Sequence, residues 1–223
     1  MAELARLEDI HLRSLEGRAV FDALDWSIPF GARYRLLGPS GSGAPDLLRL
    51  LAGLLHPDRG QVILDGVPVD GQALSHPFIQ RGKLGWVPSN GGLLVNQTLT
   101  VNLALPLAFV QGVHSAEAEA MAMEAMEAAG IGPLAQLRPH AMELSQRWLA
   151  GLVRASLMRA ELWLIEAPPG DLDARTRKRA RRVLDQAVDA KAALIVLGEG
   201  AWSPDTLQAW QLEDGRIAPW EEP

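Results

Sequence analysis

Leu36-Leu37-Gly38-Pro39-Ser40-Gly41-Ser42-Gly43-Ala44-Pro45-Asp46 is the stretch that decides the fold. It follows an apolar strand-like run, Arg33 to Leu37. It precedes a segment, Pro45 to Leu55, in which Leu47, Leu48, Leu50, Leu51, Leu54 and Leu55 recur at helical spacing. His56-Pro57-Asp58-Arg59-Gly60 closes that helix as a turn. A strand, a glycine-rich loop and a helix in this order make the frame a phosphate-binding loop needs. In such a loop glycines let backbone N–H groups converge on the anion, a lysine after the last glycine reaches the outer phosphates, and the next Ser or Thr holds magnesium.

Gly38, Ser40, Gly41, Ser42 and Gly43 keep that frame, but the two chemical positions are Ala44 and Pro45. Ala44 brings no charge, Pro45 has neither hydroxyl nor N–H, and Asp46 puts a carboxylate into the first helical turn. Affinity for ATP with magnesium is expected to be strongly reduced. Pro45 suits the first turn of a helix, so folding need not suffer. Asp46 either replaces the negative charge a phosphate would bring to the helix N-terminus or is an ordinary first-turn acid.

Outward from the loop, strands are expected at Leu7 to Leu12, Ala19 to Phe21 and Leu24 to Ile28. Gln61 to Leu64 and Val67 to Val69 flank Asp65-Gly66, a hairpin signal, and Leu84 to Val87 reads as another strand. Ser115 to Ala129 is a helix rich in Ala, Glu and Met, with Ser115 as N-cap and Gly130 as its stop. Its Met121, Met123 and Met126 are expected to pack against neighbouring helices. Helices at Ser145 to Arg159 and Asp173 to Val188 alternate with strands at Leu162 to Ile165 and Ala192 to Leu197, which implies a mainly parallel sheet. A final hairpin is expected over Leu207 to Leu212 and Ile217 to Trp220.

With 223 residues, 48% of them hydrophobic, the chain can bury a full core. Its formal charge of −6 argues against broad nucleic-acid binding. The absence of cysteine excludes disulfides, thiolate zinc sites and cysteine nucleophiles, and fits a reducing, cytosolic setting. No signal peptide and no apolar run of membrane-helix length are seen, so membrane contact is expected to be peripheral and through a partner. Arg175, Arg177, Lys178, Arg179, Arg181 and Arg182 form a basic face that reads as a solvated helix, with anionic lipid headgroups or an acidic partner as the alternative. Of the seven tryptophans, Trp26 and Trp163 are expected in the core, while Trp148, Trp202, Trp210 and Trp220 stay open between core and partner-facing positions.

The order of several landmarks resembles the ATP-binding cassettes of ABC transporters. They are Leu36 to Gly43, Leu51-Ala52-Gly53-Leu54, Pro57 to Val62, Asp65-Gly66, Leu99-Thr100-Val101, Pro139-His140 with Glu143-Leu144-Ser145, Leu172-Asp173, and Glu213 to Ile217. The resemblance implies an α/β, P-loop NTPase-like fold: a mainly parallel RecA-like core, an N-terminal antiparallel β subdomain and a helical subdomain. It makes the chain one cassette domain, with residues 1–88 and 160–223 as core and 89–159 as the helical subdomain. It implies a membrane permease, a second cassette or both as partners, no nucleic acid, and a place on the inner face of the membrane.

The same resemblance marks positions where this chain departs from the family. Ser89 stands where a glutamine would contact magnesium and water. The signature reads Leu144-Ser145-Gln146-Arg147 without its two glycines, whose absence blocks close backbone approach to a γ-phosphate. Counting back from the D-loop pair Leu172-Asp173 sets Glu166 at the magnesium-binding aspartate and Ala167 at the catalytic glutamate. A one-residue shift makes Glu166 the base and leaves Ile165 at the metal position. Glu199 follows the last core strand, where a switch histidine is expected, and no histidine lies beyond His140. No catalytic set is intact and no metal site is expected, which points to a pseudo-ATPase with a structural or regulatory role. The alternatives are a slow but genuine ATPase using Glu166 and Glu199, and a soluble adaptor outside transport. Ser89 to Leu94 and Leu99 to Leu107 look like the Mla-type lipid-transport cassettes, a pointer to lipid cargo.

Overall fold

The computed structural model describes residues 2–70, 75–168, 170, 172–198, 202, 204 and 206–220. Alternation of apolar and polar side chains builds the first strands. β1 (Glu3–Arg13) pairs antiparallel with β2 (Ala19–Pro29), burying Leu4, Leu7, Ile10 and Leu12 against Phe21, Leu24, Trp26 and Ile28. Sequence patterning divides β2 in two at Asp22-Ala23, but the strand runs through. Leu12 pairs with Phe21 and Ile10 with Leu24, so β2 carries one extra residue, absorbed by a bulge at Ala23 with φ 57°.

β3 (Arg33–Leu37) leads through the glycine loop into α1 (Ala44–Leu51). The helix ends four residues before the apolar pattern does. Gly53 turns back at φ 69° and the Leu54 N–H bonds the Arg49 carbonyl at 2.8 Å, which leaves Leu54 exposed. β4 (Arg59–Leu64) pairs antiparallel with β1 and, through Asp65 (φ 50°) and Gly66 (φ 76°), with β5 (Val67–Pro68). Two successive positive φ values are what a two-residue hairpin turn demands. The first sheet therefore has the order β2-β1-β4-β5.

The short α2 (Pro77–Gln80) precedes β6 (Leu84–Val87). Then come α3 (Leu99–Gln111), α4 (Ser115–Ala128), two 3-10 turns and α5 (Leu144–Ser156), a stretch without strands among the described residues. The patterning of the sequence does not suggest α3, because it is apolar all round and contains Pro106. Its N-terminus is held by Thr98 and by the buried Asn102, which donates to the carbonyls of Leu94, Gln97 and Thr98. Ser115 is the first helical residue of α4 and not its cap; His114 occupies that position without a side-chain bond. Met126 is buried and Met121 exposed.

β7 (Leu162–Glu166), α6 (Ala174–Ala187), β8 (Ala193–Leu197) and the antiparallel hairpin β9 (Gln208–Glu213) and β10 (Arg216–Pro219) complete the chain. The second sheet has the order β10-β9-β3-β8-β7-β6, and all its pairings except β9 with β10 are parallel. Every residue of β7 is buried because it runs between β6 and β8 with both faces covered. Trp163, Ile165, Leu194 and Val196 face a core shared with α3 to α6. Leu162, Leu164, Ala193 and Ile195 face a second core shared with α1 and the antiparallel sheet.

Candidate functional site

Parallel pairing brings the predicted positions to one edge. Leu36 lies beside Leu197, Leu197 beside Glu166, and Ile165 beside Val87, so the glycine loop, Ala167, Gly198 and Ser89 all leave the sheet at the carboxyl ends of its strands. Glu199 lies outside the described residues.

The glycine loop has the shape its sequence predicts. Gly41 and Gly43 take φ values of 87° and 85°, and Gly43 is the N-cap of α1. A Cβ on Gly43 would sit 2.4 Å from the Val20 side chain, and one on Gly38 would sit 2.4 Å from the Ser42 Oγ. The loop also satisfies itself: the Ser42 Oγ accepts from the Ala44 N–H at 3.3 Å, and the Ser42 N–H bonds the Pro39 carbonyl at 3.0 Å. Ala44 is 2% exposed. The Asp46 carboxylate pairs with Arg49 at 2.8 Å, one turn further along the same helix. Beside the loop lies a cavity of about 520 Å³ whose charged lining is Arg18 against Asp22, Glu213 and Asp214. An incoming triphosphate would meet more carboxylates than cations there, and no lysine.

Glu166 is 8% exposed and tied to the protein rather than open to an ion. Its Oε2 accepts from the Ser89 N–H at 2.9 Å, and its carbonyl accepts from the Trp148 indole at 2.8 Å. Its Oε1 is buried with no hydrogen-bond partner among the described residues. The Ala167 N–H bonds the Leu197 carbonyl at 2.8 Å, and its Cβ abuts Gly198. No group of three or more His, Cys, Asp or Glu side chains among the described residues could hold a metal ion. Of Ser89, Glu166 and Ala167 only Glu166 carries a carboxylate, and one of its two oxygens is already bonded to the protein.

At the signature remnant, Leu144 opens α5 and Glu143 is its N-cap. A reciprocal capping box joins Glu143, whose side chain accepts from the Gln146 N–H, to Gln146, whose Oε1 accepts from the Glu143 N–H at 3.0 Å. The anion-seeking end of this helix already has a carboxylate of its own. Leu172 is buried, and Asp173 caps α6 by accepting from the N–H groups of Arg175 at 2.8 Å and Thr176 at 3.0 Å. Hydrogen bonds from the Thr176 hydroxyl and backbone hold the Asp173 carboxyl below its ordinary range. Its stabilising effect is present above the ordinary carboxylate pKa and fades as pH falls through the lowered one.

Two buried tryptophans, left open by sequence, are core residues here. Trp148 and Trp202 are 0% and 2% exposed and meet edge to face, 4.7 Å between centroids. Trp210 packs on Tyr34 and Trp26, and Trp220 is partly exposed. The contact of α5 with the segment after β6 was not foreseen. A Cβ on Gly91 would lie 2.2 Å from the Arg147 carbonyl and one on Gly151 would lie 2.5 Å from the Gly91 carbonyl. Arg154 donates to the carbonyls of Gly91 and Gly92 across the same crossing, and burial pulls its guanidinium below its ordinary pKa. Gly91 and Gly151 lie far apart in the chain, so no local sequence signal marks the contact.

Residues 21–168 match the family model for ABC transporters. The chain is 36% identical over 183 residues to the Fe(3+) ions import ATP-binding protein FbpC of Yersinia enterocolitica, covering 78% of this chain and 50% of that protein. It is 32% identical over 181 residues to the spermidine/putrescine import ATP-binding protein PotA of Nitrosomonas europaea, covering 81% and 48%. The chain thus spans about half the length of the curated relatives it matches. Its fold superposes on the dimeric post-hydrolysis structure of the ATP-binding cassette MJ0796, bound to ADP and Pi, with a TM-score of 0.82 at 22% identity, over 98% of this chain and 99% of that one. Fold, family model and relatives agree: the chain belongs to the ABC transporter family and has the architecture of its ATP-binding cassette.

Proposed function

We propose that the chain is a catalytically impaired cassette subunit of a membrane transport complex, kept for the surfaces it presents to a permease or a second cassette. The observation that carries this reading is the phosphate loop: Ala44 is buried where the lysine would stand, and three of the four charged residues lining the adjoining cavity are acids. The tie between Glu166 and Ser89 and the self-capped α5 support it. Residues 89–159 then serve as the helical subdomain, with 1–88 and 160–223 as the core. Among the described residues no helix is long and apolar enough to cross a membrane, so the chain would sit on the inner face through its partner.

The lipid pointer rests on Ser89 to Leu94 and Leu99 to Leu107 alone. The relatives are named for Fe(3+), for spermidine/putrescine and for sulfate/thiosulfate, none of which is a lipid. A slow, genuine ATPase is the second reading, favoured by the Oε1 of Glu166, which has no partner among the described residues. Calorimetric titration with ATP and magnesium, run beside a phosphate-release assay with and without the co-expressed permease, separates the two. The impaired reading expects no micromolar binding and release at background. Turnover that disappears in Glu166→Gln would establish the ATPase instead.

A further inference from the structure

At the opposite end of the sheet from the glycine loop, where β7 and β8 begin, lies a cleft of about 580 Å³. Phe30, Met158, Arg159, Glu161, Asp189 and Lys191 mark its rim. Its volume is in the range of small-molecule sites. We infer that this cleft binds a small amphipathic organic anion, its acid group between Arg159 and Lys191 and its apolar body against Phe30 and Met158.

Charge balance selects the anion. Glu161 pairs with Lys83, whose Nζ lies 3.0 Å from its Oε1 and is shared with Asp65 at 3.3 Å. The Asp189 carboxylate accepts from the Lys191 N–H at 2.8 Å, and the Arg33 guanidinium donates to the Asp189 carbonyl beside it. The side chains of Arg159 and Lys191 have no hydrogen-bond or ion-pair partner among the described residues. In a chain of formal charge −6, two of the cations lining this cleft, Arg159 and Lys191, stand without a partner among the described residues. Both acids beside them are already engaged, so an incoming anion does not compete for a taken partner.

The walls are built in advance, which lowers the ordering cost of binding. On one side Arg33 donates to the carbonyls of Ala192 and Asp189, the Gly31 N–H bonds the Lys191 carbonyl at 2.8 Å, and the Ala192 N–H bonds the Asp189 carbonyl at 3.0 Å. Gly31, at φ 74°, allows this approach, since a Cβ there would lie 3.1 Å from the Ala190 carbonyl. These bonds stitch the turn carrying Phe30 to the loop carrying Lys191. On the other side Gln111 donates to the Leu157 carbonyl at 3.2 Å and Ser156 Oγ to the Val153 carbonyl at 2.7 Å, fixing the turn that carries Met158 and Arg159. Phe30 keeps 38% of its surface exposed although its backbone is held, leaving an apolar face for the body of the ligand.

The test uses the intact chain with anilinonaphthalene sulfonate as fluorescent probe, displaced by decanoate or by decanol. Saturable probe binding, displaced by decanoate at least about tenfold more effectively than by decanol, is expected. Arg159→Ala with Lys191→Ala should weaken decanoate at least about tenfold, and Phe30→Ala should weaken probe and decanoate together. All three side chains are exposed, and unchanged circular-dichroism melting shows that the variants fold. Vesicles of phosphatidylglycerol form a second arm: if they co-sediment the wild type but not the double variant, the same chemistry recognises a lipid headgroup, whereas decanoate binding without sedimentation marks a free acid. Equal displacement by decanol, or unchanged decanoate affinity in the double variant, overturns the site.

Discussion

The N-termini of α1 and α5 stand where the family resemblance would aim two helices at phosphate, and they are built in contrasting ways. Before α1 the glycines are all present and adopt the left-handed turns, while the side chains that would do chemistry are absent. Before α5 no glycine is present at all, and a capping box of Glu143 and Gln146 closes the helix. The difference follows from what each glycine touches. Gly38 and Gly43 sit where a Cβ would strike Ser42 and Val20, so the fold itself requires them. The resemblance gives signature glycines a different task, the close approach of a backbone to a phosphate.

The sharpest way to break this comparison is Gly43→Ala. With φ at 85° and Val20 in the way, it should cost about 3 kcal/mol in urea denaturation. Gly41→Ala, at φ 87° with nothing within 4 Å, should cost only about 1 kcal/mol. Equal costs would mean that collision plays no part and that the loop is retained for another reason.

On the α5 side, Trp148→Phe keeps the aromatic packing with Trp202 but removes the donor to the Glu166 carbonyl, at a cost of about 2 kcal/mol by the same measurement. A neutral result would detach α5 from the end of β7. Gln146→Ala removes half of the capping box and should cost about 0.5–1 kcal/mol, read as a lower melting temperature. The smallest effect belongs to Asp46→Asn, within about 0.5 kcal/mol, because its partner Arg49 is exposed and the pair is solvated. A larger loss would show that the carboxylate stands in for a phosphate charge at the α1 N-terminus.

Sequence made the glycine loop, the Asp65-Gly66 hairpin and the alternation of strands and helices legible, because each is written in neighbouring residues. It extended α1 to Leu55, since apolar periodicity continues past Gly53 while the backbone does not. It missed α3, whose apolar residues surround the helix and carry no period. The residue types at Ala44, Pro45 and the signature remnant were also legible, since they need no fold to be read. What Glu166 does was not. Its partner Ser89 is 77 positions away in the chain, and only the parallel pairing of β6 with β7 sets the two side by side.

The crossing of Gly91 and Gly151 bears on anyone assembling chimeric cassettes. Because α5 lies directly on the backbone of the 88–92 segment, with Arg154 bonded to two of its carbonyls, the two pieces form one inheritable module. A graft that takes the helices from one cassette and that segment from another would need a glycine on both sides of the seam, and splice points belong before Pro88 or after Ser156.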